Sequence, residues 1–207
     1  MLVKEKFYKV ILIKKSSLFF LIVLNYFTFI DYSFASLADL REIIVSKIAK
    51  TKTLSFNFKQ TIAEKEEIGN CFIKYPLLMR CKYDNKNQKI IISNGKTFAI
   101  IKKKYKKIYY YPLRTTLLFT ILKKEKILNL VKNNYPTYTD SKIIEFQLVN
   151  KERKKKIKIF FDKNSLELKG WETKDAYSNN VSFIISNLKI NNQIEDSFFK
   201  IPSENDL

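Results

Sequence analysis

Cysteine is the residue type in this chain whose placement most invites a chemical reading. The 207 residues include two, Cys71 and Cys81, and no histidine. Structural zinc takes four ligands, so two thiols without an imidazole make a poor metal site. Three glycines in the whole chain are too few for a phosphate-cradling loop, and neither a G-x-S-x-G elbow nor a dinucleotide-binding fingerprint occurs. Glu64, Glu66 and Glu67 share one polar turn, but nothing singles out an acid–base pair of the kind glycoside hydrolysis needs. No catalytic residue, metal ligand or cofactor is therefore expected, and the chain does not read as an enzyme. The cysteines lie symmetrically about Pro76. If the connection between the flanking arms has an odd number of residues, the two thiols face each other, and an oxidising compartment would let them bond. The alternative is a pair of small buried hydrophobes with free thiols.

The element that must position them is a hairpin, Gly69 to Asp84. On its second arm Met79, Cys81 and Tyr83 alternate with Arg80, Lys82 and Asp84, the period-2 pattern of a strand with one apolar and one wet face. On the first arm Cys71, Ile73 and Tyr75 share a face opposite Lys74. Pro76 sits between the arms, where it removes no ladder hydrogen bond. A sheet built this way has an apolar side that something must cover.

The chain begins with Lys4, Lys6, Lys9, Lys14 and Lys15, an apolar run from Leu18 to Ile30, and Ser33-Phe34-Ala35. A basic region, a short apolar run and a small-x-small ending describe an export signal cut after Ala35, with Ala38 as a second site. The run is shorter than the ~20 residues a membrane span needs. No cysteine follows either site, so the mature chain is not expected to carry a lipid of its own. Residues 36–207 then form one domain of 172 residues in an exported protein. Residues 1–35 account for +3 of the net charge of +19, leaving +16. Such a charge raises nucleic acid as a partner. Lysine, isoleucine, asparagine and phenylalanine are enriched throughout, however, and an exported protein rarely meets nucleic acid. Weak attraction to anionic headgroups is the better use of the charge.

Leu37, Leu40, Ile44 and Ile48 give helical spacing over Ser36–Lys52. The period then changes to two: Leu54, Phe56, Phe58 and Ile62 alternate with polar residues, with Gln60 on the apolar face. After the hairpin, strands are expected over Lys89–Ser93 and Thr97–Ile101, joined by a type I′ turn at Asn94-Gly95, and over Ile108–Tyr111. Thr115 to Val131 returns to helical spacing. Ile143–Val149, Ile157–Phe161, Leu166–Thr173, Val181–Ile190 and Phe198–Ile201 read as strands, with a bulge at Gly170. The expected fold is α+β, mainly β: a strongly curved antiparallel sheet of about ten strands, with helices on its concave face.

Several short motifs in order resemble the LolA family of periplasmic lipoprotein carriers. They are Phe58-Lys59-Gln60, the proline-tipped hairpin, Ser93-Asn94-Gly95-Lys96, and Tyr111-Pro112-Leu113 followed by Leu117–Leu122. Phe161-Asp162, the run Leu168–Asp175 and Phe199-Lys200-Ile201-Pro202 continue the pattern, which covers nearly all of the mature chain. The resemblance implies a periplasmic protein, an incomplete β-barrel of about ten to eleven strands whose concave face, closed by helices, holds lipoprotein acyl chains, with an inner-membrane ABC exporter as donor and an outer-membrane receptor as acceptor. Many family members have Arg before the hairpin proline, where it helps latch the lid. Here that residue is Tyr75, able to offer a lid carbonyl one hydrogen bond but not a guanidinium fork. Ser178 stands where members often have Gly.

An acyl chain of ~16 carbons exposes surface worth roughly 12 kcal/mol, so a carrier must enclose it. The expected lining is Leu54, Phe56, Phe58, Ile73, Met79, Tyr83, Ile157, Ile159 and Phe161, with Leu117, Leu118 and Ile121 from the lid. Each of these taken singly would serve a solid core equally well. The protein is expected to be a monomer that touches membranes transiently. The other reading is an envelope protein that binds lipid or glycolipid without shuttling lipoproteins.

Overall fold

Alternating apolar and polar side chains turn much of the described chain into strands, and the burial pattern follows the alternation. In a computed structural model, residues 32–150, 155–175 and 178–207 are described. The export-signal run before residue 32 lies outside them. The chain divides into two units, Met1–Arg41 and Glu42–Leu207. The described residues of the first are the start of a helix, α1 (Tyr32–Lys50). That helix starts upstream of the expected Ser36, and Ile44 of the expected stripe is fully buried.

The second unit is one antiparallel sheet. Its strands are β1 (Thr53–Ile62), β2 (Lys65–Lys74), β3 (Leu78–Tyr83), β4 (Lys89–Asn94), β5 (Thr97–Lys102), β6 (Lys107–Pro112), β7 (Tyr138–Thr139), β8 (Ile143–Asn150), β9 (Lys155–Asp162), β10 (Leu168–Lys174) and β11 (Asn180–Ile190). Their spatial order is β6-β5-β4-β3-β2-β1-β11-β10-β9-β8-β7. The two ends do not pair, so the sheet is open, as expected. Between β6 and β7 run two helices, α2 (Leu118–Leu122) and α3 (Lys124–Asn133). No helix among the described residues is long and apolar enough to cross a membrane.

Four details depart from the sequence reading. The single helix expected over Thr115–Val131 is broken at Lys123, whose backbone is extended (φ −95°, ψ 90°). The Leu77 N–H at the hairpin tip donates to the Leu122 carbonyl at 3.0 Å. In a continuous helix that carbonyl would accept from Lys126, whose N–H goes to Lys123 instead. The Asn94-Gly95 turn is not type I′, which needs two positive φ values. Only Gly95 has one (φ 94°), while the Asn94 side chain accepts from the Lys96 and Thr97 N–H groups. The segment Phe198–Ile201 is not a strand. Asp196–Phe199 forms a 3₁₀ turn, because Phe198 packs edge-on against Phe72 and lies under Arg80. Finally, β7 was not foreseen in what reads as a loop. The bulge at Gly170 is present: the β9–β10 register shifts between Leu168 and Gly170, and Gly170 has φ 152°.

Candidate functional site

The inward face of the sheet is built from the hairpin outward. The β2–β3 connection is three residues, Tyr75-Pro76-Leu77, with a cis bond before the proline. An odd connection pairs Cys71 with Cys81 in register, and the two are joined by a disulfide. On β2 the same alternation brings Gly69 beneath the Phe58 ring: a Cβ there would meet that ring at 2.9 Å and the Lys82 carbonyl oxygen at 2.1 Å. The missing side chain lets Phe58 reach Tyr83, edge to face at 4.8 Å. Phe58 also stacks on Phe183 at 4.6 Å, and Phe183 on Trp171 at 4.2 Å. Three rings of this row, Tyr83, Phe183 and Trp171, line a cavity of about 160 Å³.

Its walls come from β1 (Gln60), β3 (Met79, Cys81, Tyr83), β4 (Ile91), β5 (Phe98), β9 (Ile157), β10 (Trp171, Thr173) and β11 (Val181, Phe183). Leu117, Leu118 and Ile121 close it from the helical side. β5 and β9 are seven strand steps apart, roughly 34 Å in a flat sheet. One cavity of this size touches both only because the sheet curls round it with α2 on the concave side. A second cavity of about 40 Å³ lies between α1, the Tyr75 turn, α3 and β9–β11, where Leu54, Ile127 and Phe161 line it.

Of the expected lining, Met79, Tyr83, Leu117, Leu118, Ile121 and Ile157 meet at the larger cavity, and Leu54 and Phe161 at the smaller. Phe56, Phe58, Ile73 and Ile159 are buried and line neither. They support the layer beneath, as Phe56 does against the edge of Phe183. The lining residues that the sequence reading did not expect at the cavity are Gln60 and Cys81, which it placed only on apolar strand faces, and Ile91, Phe98, Trp171, Thr173, Val181 and Phe183. The alternation of Val181, Phe183 and Ile185 carried a signal for the last two. The register that brings Trp171 opposite Phe183 did not.

One end of the cavity is polar. The Tyr83 hydroxyl donates to Gln60 Oε1 at 2.7 Å. Its ring lies 3.7 Å from the Lys89 ammonium, which is ion-paired with Glu67, and Asn85 donates to the same carboxylate. Burial, helped by the Glu67 charge, pushes the Tyr83 phenol well above its ordinary range, so it stays a donor. Burial alone would raise Glu67, but the Lys89 and Asn85 hydrogen bonds and the Lys89 and Lys65 charges outweigh it and leave the carboxyl lowered. Burial holds Lys89 below its usual value despite Glu67. The pair thus favours the carboxylate more than the ammonium.

The lid is tied at two places. One is the Leu77–Leu122 backbone bond. The other is Lys124, whose ammonium donates to the carbonyls of Ala49 and Thr51, each at 3.0 Å. Tyr75 makes no hydrogen bond to a lid carbonyl among the described residues. Its ring sits 5.9 Å from Lys124, and burial raises its phenol.

An open antiparallel sheet wrapped round an apolar cavity, with short helices over its concave side, is an architecture able to enclose a hydrophobic group. The family comparison is consistent with it: residues 49–202 match the family described as outer membrane lipoprotein carrier protein LolA, and the chain belongs to that family. No curated protein matches the chain. Among solved structures, it is similar to a LolA superfamily protein from Nitrosomonas europaea (10% identity, 78% of this chain and 97% of that one, TM-score 0.43). It is also similar to a DUF1329 family protein from Desulfovibrio piger (8% identity, 79% and 97%, TM-score 0.43). A third similarity is to MucB (7% identity, 83% and 65%, TM-score 0.46).

Proposed function

We propose that this protein is a periplasmic carrier of lipoproteins. It takes them as an inner-membrane ABC exporter releases them, shields their acyl chains, and passes them to an outer-membrane receptor. The observation that carries this reading is the apolar cavity closed by α2, together with membership of the lipoprotein-carrier family.

The energetics fit a carrier that must also let go. Enclosing one chain of ~16 carbons hides surface worth roughly 12 kcal/mol. The closed cavity of about 160 Å³ is comparable to cavities of about 150 Å³ that accept a benzene ring, so it admits the end of a chain and not its length. Uptake therefore proceeds by moving Leu117, Leu118 and Ile121 outward, exchanging lid–sheet contacts for lipid–sheet contacts of the same apolar kind. Because the exchange is nearly balanced, release is available without an energy source in the carrier itself.

Leu118→Glu tests it. A carboxylate against hydrocarbon is strongly disfavoured, so this variant is expected to lose acyl-chain binding while keeping its fold. Unimpaired lipoprotein transfer by a folded Leu118→Glu protein refutes the cavity assignment. Native mass spectrometry of protein isolated from the envelope separates the two lipid readings: bound triacylated lipoprotein supports the carrier, and phospholipid or glycolipid alone favours a binding protein that does not shuttle.

A further inference from the structure

Strand β6 ends the sheet, and it and the turn before it carry a dense run of exposed aromatic and basic side chains. Tyr109, Tyr110 and Tyr111 are 44%, 54% and 45% exposed, and Tyr105 just before them is 54% exposed. Lys102, Lys103, Lys104, Lys106 and Lys107 lead into the strand, with Arg114 following it. Of the five lysines, Lys107 is the one that meets a carboxylate among the described residues, Glu204 at 3.8 Å. The neighbouring β5 brings Lys102 over the Tyr109 ring at 5.4 Å.

An open edge usually invites another strand, but this one is closed to it. The Ile108 N–H points away from the sheet and is taken by Glu204 Oε1 at 2.9 Å. Antiparallel pairing puts Tyr110 and Pro112 in the same outward-facing set. Pro112 has no N–H, which leaves Tyr110 alone to offer one. The edge thus presents side chains rather than a hydrogen-bonding ladder.

Those side chains suit a lipid headgroup layer. Tyrosine rings settle at membrane–water interfaces because one end is apolar and the other wet. Lysines near an anionic leaflet are attracted to it additively. The strip also adjoins the cavity: the Tyr111 ring lies 6.2 Å from that of Phe98, which lines it.

We infer that the β6 edge is the surface by which this protein settles on anionic phospholipid membranes, holding the Phe98 end of the cavity next to the bilayer. The inference does not depend on which lipid the cavity carries. The test is flotation of the full chain with phosphatidylcholine vesicles, with and without phosphatidylglycerol, at low and high salt. Wild type is expected to float with the anionic vesicles at low salt. Lys103→Glu/Lys104→Glu/Lys106→Glu is expected to reduce that partitioning about a hundredfold. Lys142→Glu/Lys156→Glu/Lys174→Glu, with the same change in net charge on exposed residues of β9, β10 and the turn before β8, retains it within a few-fold. Tyr109→Ser/Tyr111→Ser weakens it about tenfold and makes the remainder more salt-sensitive. The corresponding triple Lys→Gln variant, which adds no repulsion, falls between wild type and the Glu variant. Equal loss in both triple-Glu variants overturns the inference, because attraction would then follow net charge and not this edge. Failure of wild type to float with anionic vesicles at low salt also overturns it, and turns attention to an acidic protein as the occupant of the edge.

Discussion

Lys124 is the most informative single side chain in the lid. It is the first residue of α3, where a positive charge opposes the helix's own dipole. Its ammonium reaches instead to the Ala49 and Thr51 carbonyls at the C-terminal end of α1, which have no partner within that helix. Lys124→Met keeps an unbranched side chain of similar length and removes both bonds. Hydrogen bonds from a charged donor contribute about 1.5–3 kcal/mol each. Lys124 is only partly buried, so about 1.5 kcal/mol for the two together is a reasonable discounted figure. For a domain of this size that corresponds to a fall in Tm of roughly 3–6 °C. If an acyl chain enters only after α2 and α3 lift, the bonds are already broken in the loaded state, and their absence helps binding. A change of about 1.4 kcal/mol is tenfold in affinity, so a fluorescent acyl probe should bind Lys124→Met about tenfold more tightly. Lys124→Arg should track wild type in both measurements. A variant that melts earlier but binds the probe no better refutes the idea that α3 moves on uptake.

Gly69→Ala sets a Cβ against the Lys82 carbonyl oxygen at 2.1 Å and the Phe58 ring; since backbone cannot yield as a side-chain tip can, about 3 kcal/mol and a Tm loss of roughly 6–12 °C are expected by calorimetry. The Cys71–Cys81 bond closes a short loop, for which chain entropy allows up to about 3 kcal/mol. Cys71→Ser/Cys81→Ser should melt earlier without reductant, and equal melting of oxidised wild type and this variant would show that the bond contributes nothing. The Glu67 carboxyl is depressed below its ordinary 4.5. Its stabilisation is therefore present above that value and lost as pH falls through the lower folded value. The stability gap between wild type and Glu67→Gln, measured by urea unfolding, should close in that acid window; a gap constant down to the lowest pH would contradict the assignment.

The larger features of this fold are local and can be read in the chain. Met79, Cys81 and Tyr83 against Arg80, Lys82 and Asp84, or Phe56 and Phe58 against Asn57 and Lys59, set strands and their faces, because a pleated strand sends successive side chains to opposite sides. The hairpin and the facing cysteines follow from that rule once the connection is odd. The cavity is less legible. Met79 and Leu118 are lining residues and Phe56 and Ile159 are not, although all four are apolar and on the expected faces. The difference depends on how far the sheet curls and where the row Phe58, Phe183 and Trp171 fills the space.

The lid was misread for a related reason. Periodicity from Thr115 to Val131 describes one amphipathic helix, and nothing near Lys123 marks an end. The break comes from Leu77, far away in sequence, whose N–H takes the Leu122 carbonyl. Likewise the alternation at the C-terminus looked like a strand, but Phe198 gains more from Phe72 and Arg80 on the outer face than from a ladder. Alternation by itself determined that this chain makes strands with one apolar face, since that property belongs to neighbouring residues. Which side chains enclose empty space, and where the covering helix breaks, were decided by the tertiary structure alone, because a cavity and a competing hydrogen bond exist only once distant segments meet.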